Sequence, residues 1–220
     1  MRKGLSTGRC RSTRRSLVRI STRPRSLATQ GDGSNYTNPL VEPPDHAVGR
    51  SRGGLSTKIH ALVDGFGLPL VIAVTPGQSG DSPMLLPLLE QLSVARPCGR
   101  PRTRPLVVRG DKAYSSRRNR DHLRARRIAA SIPEPADQAG HRTRRGSRGG
   151  RPPKFDPTDY RGRNVIERRF AHMKQWRGLA TRYDKLAITY RAAAILHAII
   201  AWTQRLSVTP SPQGPPGAGS

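Results

Sequence analysis

The chain has 220 residues, 34% of them hydrophobic, so it can bury one modest core, and one domain is the natural count. Forty Lys and Arg stand against fourteen Asp and Glu, a formal charge of +26 that disfavours an isolated acidic pocket and favours a polyanion as partner. No apolar run approaches the ~20 residues of a membrane span. The two cysteines, Cys10 and Cys98, are too few for a disulfide framework or a zinc site, which fits a reducing cytosol.

In chain order, residues 1–33 are rich in Arg and Ser, with no acidic residue before Asp32, a composition shared with organellar transit peptides. Residues 34–54 read as loop, with Pro39, Pro43, Pro44 and several glycines. Leu55–Val63 and Leu68–Thr75 read as strands joined at Asp64-Gly65-Phe66-Gly67, a predicted hairpin that makes Asp64 a corner residue. Asp81 or Ser82 caps a short helix through Leu92. A basic linker from Pro97 to Pro105 precedes Leu106-Val107-Val108, an apolar run suited to a buried strand. Ser115 or Ser116 begins a basic helix to about Arg127, and Ile128–Ile132 reads as a further strand. His141 to Lys154 reads as a Gly/Arg-rich loop suited to contact with a DNA backbone. His60, His172 and His197 show no paired metal spacing and read as packing or solvated residues.

The next segment carries the strongest pattern. Asp156 suits an N-cap, Pro157 the first helical turn, and Gly178 the end of a helix. Ile166, Phe170 and Met173 recur at i, i+4 and i+7 and supply a packing side. Tyr160, Arg163, Glu167 and Lys174 fall at about 0°, 300°, 340° and 320° around such a helix, one stripe ~21 Å long. Any one of these residues fits an ordinary amphipathic surface helix. The four together suit a surface that grips phosphate and metal. A second helix is predicted from about Leu186 to Arg205, and a Pro/Gly/Ser tail follows.

Tyr-x2-Arg-x3-Glu-x6-Lys resembles the signature of bacterial insertion-sequence transposases of the DDE type. The similarity extends through Gly49–His60, Thr75-Pro76-Gly77-Gln78, Asp111-Lys112-Ala113-Tyr114-Ser115-Ser116, Ile132-Pro133-Glu134 and Thr181-Arg182-Tyr183-Asp184-Lys185. It covers roughly residues 34 to 205, in the family's order. The resemblance implies an α/β fold, a ribonuclease-H-like mixed sheet flanked by helices. It implies metal-dependent DNA nicking and strand transfer, with two Asp and one Glu holding Mg²⁺ or Mn²⁺. On this chain it makes Asp111 and Glu167 the second and third acidic ligands. Tyr160, Arg163 and Lys174, with Lys112 and Arg168 beside them, become the groups that position DNA. Its implied partners are transposon-end and target DNA, with a homodimer open, in a bacterial, nucleoid-associated cytoplasmic setting.

The chain departs from the family at its start. The family's first Asp sits on an opening strand of the form Val-Asp-Ser-Thr, and residues 1–54 hold nothing of that form. The expectation is therefore a sheet missing its first central strand and its first metal ligand, which leaves catalytic activity open. A non-catalytic DNA-binding remnant and a basic RNA-associated protein are the alternatives. A codon hypothesis accounts for the gap: Ser12-Thr13-Arg14-Arg15-Ser16, written in suitable codons, spells Val-Asp-Ser-Thr-Ile in another frame. Gene bases at those codons that spell no acidic strand would end the idea. The expected organisation is a disordered basic extension over 1–45, a catalytic domain over 46–206 and a disordered tail over 207–220.

Overall fold

The computed structural model describes the backbone of residues 15–20 and residues 42–208. Its centre is a long hairpin. Strand β3, Gly54–Asp64, pairs antiparallel with β4, Pro69–Pro76, in the register Ile59↔Val74 and Leu62↔Val71. The corner closes on Asp64, whose Oδ1 accepts the backbone N–H groups of Phe66 and Leu68, both at 2.9 Å. Gly67 follows at φ +81°, a left-handed position that glycine adopts without strain. Asp64 is thus the hairpin corner predicted for it. The short β2, Gly49–Ser51, pairs with the start of β3.

Side chains alternate across this hairpin, and both faces are covered, which is why β3 reads as a nearly continuous apolar run. Leu62 and Val71 face one core with Leu85, Leu88 and Leu89 of α1, Leu85–Glu90, and Leu123 of α2, Arg117–Ala125. Ile59, Ala61, Val63 and Ile72 face the other. There they meet Ile166, Phe170 and Met173 of α5, Asn164–Lys174, and Tyr190, Ala194 and Ala198 of α7, Ala187–Val208. Between these helices lies α6, Arg177–Ala180, which contributes Leu179. Two short strands, β5, Val107–Arg109, and β6, Ala129–Ser131, run parallel to each other. Buried Arg182 ties the turn before α7 to β3. It donates to Thr57 Oγ1 at 2.6 Å and to the carbonyls of Ala47, Asp184 and Lys185.

Several expectations need correction. The opening strand is present as backbone: β1, Arg15–Ile20, pairs antiparallel with β3 from Arg15↔Asp64 to Ile20↔Ile59 and lies beside β5. A ladder is made by main-chain groups, and Leu17, Val18 and Ile20 suit a strand whatever the intervening arginines. What the segment lacks is an acidic residue. The rest of the expected extension before Glu42, and the tail after Val208, lie outside the described residues.

The predicted single helix is two. Helix α4, Pro157–Arg161, ends at Gly162, and α5 begins at Asn164. Asp156 does cap α4, accepting from Thr158 and Asp159 N–H. Gly178 lies inside α6 instead of ending the Glu167 helix, because backbone winding stops at Gln175. The expected loop from His141 is helical at first, as α3, Ala136–Arg144, followed by a 3₁₀ turn at Gly146–Gly149. Asp81 stands at the N-cap position of a 3₁₀ turn, Ser82–Met84, but its carboxylate pairs with Lys58 at 3.3 Å in place of the cap N–H groups.

Candidate metal and nucleic-acid site

Strand β5 delivers Asp111 just past its carboxyl end, the usual place for ligands in an open α/β sheet. Gly110 makes the exit. A Cβ there would lie 3.4 Å from both Ile132 and Tyr114, at the tight end of ordinary contact. Asp111 then caps the 3₁₀ turn Lys112–Tyr114 with its Oδ1 on the Lys112 N–H at 2.5 Å.

The break between α4 and α5 has a local cause. Arg109 is a buried arginine inside β5, and its guanidinium must find a partner. It reaches α4, forming an ion pair with the Asp159 carboxylate and donating from Nε to the Asp159 main-chain oxygen at 2.9 Å. That oxygen also accepts the Gly162 N–H at 3.2 Å, so the turn tightens there in the i→i+3 manner. Arg163 and Ile166 continue the same short pattern. Glycine at 162 weakens helix propensity where the chain must bend.

The break leaves the charged stripe adjoining. Arg163 lies over the Tyr160 ring, 5.6 Å from its centroid, and its Nη1 donates to Glu167 Oε1 at 2.5 Å. Phe155 packs against Tyr160, with ring centroids 5.2 Å apart. Burial pushes the Tyr160 phenol above its ordinary range. Arg163 pulls it back, while the charges of Asp111 and Glu167 both push it up. Two carboxylates delivered by different elements therefore act on one phenol.

Of the residues singled out, Arg163 contacts both Tyr160 and Glu167, and the charge of Asp111 reaches Tyr160. Lys112 sits beside Asp111, while Arg168 and Lys174 are exposed along α5. Among the described residues, no group of three or more His, Cys, Asp or Glu could hold a metal. Asp111 and Glu167 carry carboxylates, the donor type that a hard cation such as Mg²⁺ takes. They do not make the full acidic triad. Arg109 and Asp159 were not foreseen; the available signal was a lone arginine in an apolar strand two residues before Asp111.

The site is thus a basic α/β surface built around a pair of carboxylates, an aromatic ring and arginine. A family profile described as transposase DDE domain matches residues 28–202, and the chain belongs to that family. A protein of Brucella ovis named as a transposase for insertion sequence element IS6501 is 33% identical over 148 residues, 67% of this chain and 98% of its own length. A Burkholderia cepacia protein named as a transposase for insertion sequence element IS402 is 32% identical over 157 residues, 71% of this chain and 65% of its own length. No solved structure matches the chain. Among the described residues, no helix is long and apolar enough to cross a membrane.

Proposed function

We propose that this insertion-sequence transposase chain binds DNA through the Tyr160–Lys174 face and holds a divalent ion between Asp111 and Glu167, with strand cleavage weak or lost. The observation that carries the reading is the Tyr160–Arg163–Glu167 cluster, in which the Tyr160 ring also feels the charge of Asp111. The antiparallel sheet around β3, the separate parallel β5–β6 pair beside β1 and the flanking helices support a ribonuclease-H-like architecture, although the expected single mixed sheet is divided in two. Asp111 and Glu167 are the ligands that would hold Mg²⁺ or Mn²⁺. When bound, the ion would neutralise charge at a scissile phosphate and acidify water. Arg163 and Lys174 would bind phosphate oxygens, with Arg168 and Lys112 beside them, and Tyr160 would stack or donate a hydrogen bond.

Weak cleavage follows from the donor count. Residues 15–20 read Arg-Ser-Leu-Val-Arg-Ile, so the strand beside β5 supplies no carboxylate. The +26 charge favours DNA retention regardless. A second copy as partner and a bacterial nucleoid setting belong to the same reading.

The test is a nicking assay on supercoiled plasmid carrying the element's ends, with Mg²⁺ or Mn²⁺. The expected result is DNA retention with little nicking. Robust cleavage that disappears in Glu167→Ala would overturn the weak-cleavage part. Lys174→Ala should weaken DNA retention and lower the salt slope by about 0.9; an unchanged slope would argue against a phosphate contact at that residue.

A further inference from the structure

The far end of the β5–β6 pair carries a second concentration of positive charge. Helix α2 ends in a complete Schellman turn: Arg127 N–H donates to the Arg124 carbonyl at 2.9 Å and Ile128 N–H to the Leu123 carbonyl at 2.8 Å. The residue in the left-handed position is Arg127, at φ +52°. Glycine takes that position without strain, whereas an arginine there is conformationally costly. Its side chain is exposed and enters no ion pair or hydrogen bond among the described residues. A strained backbone carrying an exposed, unpaired cation is an outlier that asks for a function.

Its surroundings are of one sign. The Arg102–Arg104 segment packs on the end of α2. Arg126 Nη2 donates to the Thr103 carbonyl at 3.2 Å, Arg104 Nη1 to the Arg126 carbonyl at 3.5 Å, and Arg102 Nε to the Arg104 carbonyl at 3.1 Å. No acidic residue occurs between Glu90 and Asp111 or between Asp121 and Glu134. Asp121 is already paired with Arg124 at 2.7 Å. From Leu106, just before β5, to Asp111 the extended chain spans roughly 16 Å. The basic knuckle and Asp111 therefore lie at opposite ends of one strand.

We propose that Arg102, Arg104, Arg126 and Arg127 form a second DNA-backbone contact, separate from the carboxylate face; it rests on the DNA-binding reading above. Arg102, Arg104 and Arg126, anchored through carbonyls, and the unpaired Arg127 suit phosphate oxygens, and a contact made to phosphates alone is sequence-independent.

The decisive variant is Arg127→Gly, because its two effects point in opposite directions. Relief of the left-handed strain should raise Tm by about 2–4 °C. Loss of a phosphate contact should weaken binding of a labelled 30-base-pair duplex of arbitrary sequence several-fold and lower its salt slope by about 0.9. Arg104→Gln should weaken binding in the same way without the rise in Tm. Both losses should persist in a Glu167→Ala background. Unchanged affinity and slope in a chain that still retains duplex DNA would overturn this inference alone. No duplex retention by the wild-type chain would overturn the DNA-binding reading and this inference with it. A loss confined to transfer RNA, with duplex binding intact, would reject DNA as the occupant.

Discussion

Arg109 shows how one residue sets the geometry of the candidate site. Buried in β5, it draws down the Asp159 carboxylate and carbonyl, and so fixes the turn from which Tyr160 and Arg163 project. The two partners are unequal: Arg109 is 5% exposed, while Asp159 is half-buried. Asp159→Ala would leave a buried cation short of its counter-charge and should cost about 2 kcal/mol. Arg109→Leu leaves a carboxylate that water can reach, and should cost about 1 kcal/mol. Chemical denaturation of both variants checks the order. A larger loss for Arg109→Leu would contradict it.

At the scale of elements, the hairpin, the N-caps and the apolar periodicities were legible because each is a local rule with a side-chain signature. Asp156 and Ser116 cap as their positions suggest. The break at Gly162 was not legible, since it depends on Arg109, far away in sequence. A shortened turn also leaves Tyr160, Arg163 and Glu167 adjacent, so the stripe looks the same either way. The strand Arg15–Ile20 was missed for a different reason. Its arginines mask a β-capable backbone, and only the presence of β3 and β5 gives it partners.

Two carboxylates tie elements together and predict a pH response. Glu134 is held below the ordinary carboxylate range, first by its hydrogen bond from Arg142 at 2.8 Å, which joins α3 to the segment after β6. Burial pushes Glu42 up, but the N–H groups of Ile188 and Ala187 at the start of α7, together with the hydrogen bond and charge of His46, outweigh it, and the net direction is down. A lowered folded-state value means the unfolded chain takes up protons first. The stabilisation is complete above the ordinary value of 4.5 and is lost as pH falls below it through the folded values. Thermal melts from pH 7 to pH 3 should show Tm falling in that acid window. In Glu42→Gln the fall should be shallower, and an equally steep fall would exclude Glu42 as a contributor.

Across the whole molecule, two helical layers bury both faces of the β3–β4 hairpin. Asp111 stands past one end of β5 and an arginine knuckle lies before the other. The stretch where the codon hypothesis puts Val-Asp-Ser-Thr-Ile, residues 12–16, runs into β1. The proposed metal role depends on Asp111 and Glu167 sharing one ion beside Tyr160. Mn²⁺ titration of the chain carrying ¹³C-labelled tyrosine reads this directly, because a paramagnetic ion broadens only nearby rings. Of the five tyrosines, Tyr160 should broaden first, and either Asp111→Ala or Glu167→Ala should abolish the effect. A Tyr160 signal that stays sharp, or broadening that survives both substitutions, would contradict the account.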